Sequence, residues 1–103
     1  MQDNQKTRVE LISEIRCKLS QAALLEQMAE ECAELTQALL KKARKLRNEN
    51  YTPKSIKEID YAIDEEFTDV MICARILSIV ENPYLIKKKL ERWTKRLIED
   101  HDE

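Results

Sequence analysis

Apolar residues recur three and four positions apart over most of this 103-residue chain, the period of a helix with one buried face. Val9, Leu11, Ile12, Ile15 and Leu19 line one side of a segment over about residues 7–18, and Thr7 followed by Glu10 predicts a capping box at its start. A second segment, 21–47, is far longer than the mean helix of about 11–12 residues. It ends in Lys41, Lys42, Arg44, Lys45 and Arg47, cations suited to the negative end of a helix dipole. After a polar connection through Asn50 and Pro53, a third helix starts between Lys57 and Asp64 and runs through Val80. A fourth, over about 84–99, follows Pro83 and aligns Ile86, Leu90, Trp93 and Leu97 in a seam. At the breaks, Asn takes the turn and left-handed positions that Gly would otherwise fill.

The third helix has two apolar faces. At about 100° per residue, Ile63, Phe67, Val70, Ala74 and Leu77 fill one, and Ile72, Ile76 and Ile79 a nearly opposite one. The chain can cover one by its own packing, so the other predicts a second subunit and a homo-oligomer, dimer or tetramer. The alternative is a helix central within the monomer.

Composition narrows the class. The chain has no glycine and two prolines, which excludes a glycine-rich phosphate loop. With 43% hydrophobic, 37% charged and 5% aromatic residues, it reads as a single all-α domain of amphipathic helices spanning 1–103. A formal charge of -2 gives no global attraction to nucleic acid. No apolar run approaches the roughly 18 residues of a membrane helix, and the polar start is unlike a secretory signal, so a cytoplasmic location is expected. Cys17, Cys32 and Cys73 lack metal-site spacing and read as reduced packing residues.

Chemistry concentrates in acidic residues. Glu30, Glu31, Cys32, Ala33, Glu34 and Leu35 read E-E-x-x-E-L on the second helix, and Glu66 to Asp69 read E-x-x-D on the third. Residues three apart are neighbours on a helix, so Glu31 with Glu34, and Glu66 with Asp69, each form a two-pronged oxygen ligand. With Glu31 at zero, Glu34 lies near 300° while Leu24, Met28, Leu35, Leu39 and Leu46 cluster from about 20° to 80°. The acidic pair thus flanks the core face, and the second pair stands in the same relation to Phe67, Val70 and Ala74. Packing the core faces together brings four carboxylates to one edge, a donor set that selects Mg2+, or Mn2+, over softer metals. A solvated acidic surface is the competing reading. Glu99 and Asp102 also fit E-x-x-D, but in a polar tail.

E-E-x-x-E-L followed by E-x-x-D on the next helix resembles the signature of the MazG-like, all-α nucleoside triphosphate pyrophosphohydrolases, over a motif core of about 22–77. The resemblance implies an antiparallel, four-helix, bundle-like MazG fold completed by oligomerisation, with Glu31, Glu34, Glu66 and Asp69 coordinating Mg2+ and Glu30 as an accessory carboxylate. The implied reaction cleaves a nucleotide substrate, an NTP or dNTP, between the α and β phosphates to a monophosphate and pyrophosphate. The connection from 48 to 57 is longer than in most small members, and no base-recognition residues match a particular subfamily.

For that reaction Glu30 or Glu34 would orient water or accept its proton. Lys42 and Lys45, bracketing the acidic pair on the helical wheel, are candidate phosphate ligands, although they also suit the helix C-terminus. Gln27, about one turn before Glu31, is a candidate sugar or base contact. Trp93 is expected in the core. His101, the sole histidine, lies in the tail, which removes Glu-x-x-His di-iron chemistry and a histidine-activated nucleophile. Two other readings remain: a non-catalytic helical oligomerisation or adaptor protein, and hydrolysis of another pyrophosphate-containing metabolite.

Overall fold

The computed structural model describes residues 5–48 and 53–101, so that Asn50 of the polar connection and Asp102 of the tail lie outside the described residues. Its four elements are all helices: α1 (Arg8–Lys18), α2 (Gln21–Arg47), α3 (Ile56–Ile76) and α4 (Pro83–His101).

Each helix begins on a side-chain cap. Thr7 accepts from the Glu10 amide at 3.2 Å, and Ser20 from the Ala23 amide at 3.1 Å. Asn82 accepts from the Leu85 amide at 3.2 Å, with Pro83 next to it at the first helical position, where no donor is missed. The start of α3 is earlier than the patterning placed it, because Ser55 and Glu58 form a reciprocal capping box. At the other end, α3 stops at Ile76 instead of continuing to Val80. Ser78 takes φ 60°, its amide donates to the Arg75 carbonyl and that of Ile79 to Ala74, which completes a Schellman stop with serine in the usual glycine position. Arg16 from α1 clamps this corner, donating from Nε to the Ile76 carbonyl at 2.8 Å and from Nη2 to the Arg75 carbonyl and Ser78 Oγ. Asn48, at φ 59° and ψ 29°, ends α2 in the left-handed conformation expected of an asparagine standing in for glycine.

α2 and α3 pack side by side along their lengths, and α1 lies against α3. Facing pairs such as Lys42 with Asp60 show that the two long helices run antiparallel. The buried residues are few: Leu24 from α2, and Ile59, Cys73, Ala74 and Ile76 from α3. Ile59, 1% exposed, contributes roughly 1.5–3 kcal/mol.

Four packing expectations change. The second apolar face of α3 is approached by α1 of the same chain, so that Ile76 is buried and Ile72 lines a groove with Leu11, Ile12 and Ile15. Phe67, assigned to the packed face, is 52% exposed, because the face toward α2 centres on Ile59, Glu66, Val70 and Leu77 and leaves Phe67 to one side. Trp93 is 61% exposed, since α4 packs broadly against none of the other described helices. Of the cysteines, all free, only Cys73 is the buried packing residue the pattern predicts; Cys17 and Cys32 are exposed, on helix faces that no other described element covers broadly.

The result is an extended chain. Its radius of gyration is 18.9 Å, against about 13 Å for a compact chain of this length. Its accessible surface is 9245 Å², against about 6,100 Å² for a compact monomer of 12.2 kDa. Four helices are present, but they do not close into a bundle within one chain.

The Ser55 cap gives a direct check on α3. Ser55→Ala is expected to cost about 1 kcal/mol and lower the thermal midpoint by roughly 4–8 °C, as followed by helical circular dichroism.

Candidate metal centre

The antiparallel register of α2 and α3 brings two glutamates face to face. Glu31 and Glu66 sit near the middle of the surfaces that the two helices turn toward each other, and both are half-buried. Glu34, one turn from Glu31, is exposed at the edge of the same contact. One carboxylate oxygen from each of Glu31, Glu34 and Glu66 lies within 4.8 Å of the other two.

Asp69 borders this trio. It is exposed, and its charge raises the pKa values of both Glu31 and Glu66. The four carboxylates joined on the wheel are therefore neighbours here, with a difference of position: Glu31 and Glu66 lie within the seam between the helices, and only Glu34 and Asp69 flank it.

The hydrogen bonding is incomplete. Gln27 Nε2 donates to Glu31 Oε1 at 2.8 Å, but Glu31 Oε2 and Glu66 Oε2 are shielded from solvent without a hydrogen-bond partner. Such oxygens are costly unless something neutralises or bonds them. The Gln27 bond pulls the Glu31 pKa down, yet burial and the Glu34 and Asp69 carboxylates outweigh it and leave Glu31 above its ordinary value. Burial is the leading cause for Glu66 as well, followed by Glu34 lying against it and the charges of Asp69 and Glu31. Cys73 forms part of the floor: burial pushes its thiol up, and Glu31, Asp69 and Cys32 add to the effect.

This donor set fits a hard divalent cation. It offers oxygen from two helices, at a spacing one ion can bridge, with two unpaired lone-pair surfaces directed inward. No nitrogen or sulfur ligand belongs to the trio.

The remaining candidates are distributed less simply. Glu30 is exposed and outside the trio. Gln27 is committed to Glu31, which makes it an orienting group for that carboxylate. Lys42 is half-buried and ion-paired with Asp60, while Lys45 is half-buried farther along α2. The cations that share a cleft with the cluster are others. Lys41 and Lys54 line a cleft of about 400 Å³ together with Glu34, Gln37, Ile59 and Glu66. Lys41 is two turns beyond Glu34 on the same side of α2, a spacing that patterning could have used. Lys54 precedes α3 in the connection, where no periodicity positions a side chain.

The raised carboxylates set the sign of a pH effect. A group whose pKa is higher in the folded than in the unfolded chain binds more protons when folded, so stability falls as pH rises through that window. In chelator-treated protein, the thermal midpoint is expected to decrease from about pH 5 toward neutrality. Glu66→Gln should raise the midpoint at pH 7 and flatten the slope, as read by differential scanning fluorimetry.

No family model, curated protein or solved structure matches this chain.

Proposed function

We propose that this chain is a Mg2+-dependent nucleotide pyrophosphohydrolase that cleaves an NTP or dNTP to a monophosphate and pyrophosphate. The observation that carries the reading is the convergence of Glu31, Glu34 and Glu66 from two helices, with Asp69 beside them and two carboxylate oxygens unpaired. The order of the motifs, E-E-x-x-E-L before E-x-x-D, and its resemblance to the MazG-like hydrolases support it from the sequence side.

In this reading Glu31, Glu34, Glu66 and Asp69 hold the cation, and Mn2+ can replace Mg2+. Bound there, the ion supplies charge neutralisation for phosphate oxygens and acidifies water. Gln27 fixes the orientation of Glu31 through its 2.8 Å bond. Glu30, exposed on the same helix and free of the trio, orients water or accepts its proton. Lys41 and Lys54 meet the phosphate chain in the adjoining cleft, a role that Lys42 would take only by leaving Asp60. Positioning and charge compensation suffice for phosphoryl-type chemistry, which asks little covalent participation of a protein.

The test is a panel of nucleoside triphosphates with Mg2+, scored for monophosphate and pyrophosphate. Asp69→Asn and Glu31→Gln should each reduce turnover by more than the roughly 10–100-fold that loss of an outer partner costs. Gln27→Ala should fall within that range. No hydrolysis of any nucleotide, together with no Mg2+-dependent thermal shift, would return the acidic pairs to the status of solvated surface.

A further inference from the structure

The seam of α4 is exposed along its length. Ile86, Leu90, Trp93 and Leu97 are spaced four, three and four residues apart, and α4 packs broadly against none of the other described helices. That is the spacing one helix offers another, knob into hole. The four residues occupy about 60° of the helix surface and run about 16 Å along it, and Asp100, at the next position of the same spacing, ends the stripe.

The flanks of the stripe carry one sign of charge. At about 100° per residue, Lys89 and Arg96 border it on the Trp93 side and Lys87 on the Leu90 side, while Glu91 and Glu99 lie farther round the helix. These three cations are exposed and make no ion pair among the described residues. On the opposite face the cations are engaged: Lys88 lies over the Tyr84 ring, 5.3 Å from its centre, and Lys95 is 4.0 Å from Glu99. Charges beside an apolar stripe occupy the positions that choose a partner helix and its direction.

That pattern selects among occupants. Two α4 helices laid together would set cations against cations along both edges, an unfavourable juxtaposition whichever way they run. An anionic lipid surface would meet the rest of the chain as well as α4. With a formal charge of -2 overall, and six Lys or Arg against three acidic residues on α4, the remainder carries -5, which such a surface repels. A helix seated on lipid also presents a broader apolar sector than this stripe. A single helix with carboxylates beside its own apolar stripe satisfies the three cations, covers Trp93 and is small enough to touch α4 alone.

We propose that α4 is a docking helix for a different protein, whose contacting element is an acidic amphipathic helix with Glu or Asp on both flanks of an apolar stripe. Ile86, Leu90, Trp93 and Leu97 interlock with that stripe, and Lys87, Lys89 and Arg96 pair with the carboxylates and set the direction. The contact uses none of the carboxylates of the metal centre and does not depend on the hydrolase reading.

The probes are two synthetic peptides of about three heptads, both with leucine in the seam, one with glutamate and one with lysine on its flanks. Trp93, the sole tryptophan, reports the contact. In the full chain alone at about 1 μM it is expected to emit as a solvated indole, and the glutamate peptide should shift it to the blue with a dissociation constant at least about tenfold below that of the lysine peptide. The preference should narrow as salt rises. Lys89→Glu combined with Arg96→Glu should invert it, and Leu90→Ala should weaken binding of the glutamate peptide at least about tenfold. Buried tryptophan emission from the chain alone would overturn the proposal, because the seam would then be covered by its own chain or a second copy. So would an equal response to both peptides. No response to the glutamate peptide would overturn it as well, and a response to phosphatidylglycerol vesicles in that case would assign the seam to a lipid surface.

Discussion

Between α2 and α3 the chain places two glutamates where a helical hairpin ordinarily places leucine or alanine. Glu31 and Glu66 occupy the centre of the packed faces, each with an oxygen hidden from water and without a donor. A contact of this kind is self-opposing, since closer packing strips more water from like charges. What holds it together is apolar: Ile59, Leu24 and Cys73 are removed from solvent on the same two faces. The hairpin therefore keeps an acidic centre under compression from an apolar frame. This unpaired charge is what makes the site a candidate for a cation.

The absence of glycine shapes the connections on which that register depends. Among the described residues, Asn48 and Ser78 adopt the left-handed conformation that ends a helix. Asparagine tolerates it well, whereas serine does so here in a corner that Arg16 secures from α1. The same corner stops α3 before Ile79 and Val80 and sends α4 off on its own course. Beyond that turn α4 packs broadly against none of the other described helices.

The chain divides its exposed surface into two unlike sides. On one, Glu34, Lys41 and Lys54 set carboxylate and ammonium groups around a cleft, and Asp69 borders Glu31 and Glu66 beside it. On the other, leucines at seven-residue intervals, Phe67 and Met71 offer a continuous apolar row. The antiparallel hairpin is the element common to both.

Much of this was legible in the residues themselves. Period 3.6, the cap at Thr7, the break at Asn82 and Pro83 and the basic end of α2 set the number and order of the helices and, α3 apart, their bounds to within two residues, because these are local effects between residues a turn apart. The same local spacing paired Glu31 with Glu34 and Glu66 with Asp69. The Ser55 box is equally local, but the apolar pattern that marks a helix begins after it. Only tertiary structure decided that Glu66 lies in the seam while Asp69 borders it, that Gln27 serves Glu31, and that Lys54 approaches the cluster where Lys42 turns to Asp60. Helical periodicity fixes angles about one axis. The stagger between two axes comes from the side chains that interlock across them and the turn that joins them, and a sequence of isolated helices contains neither.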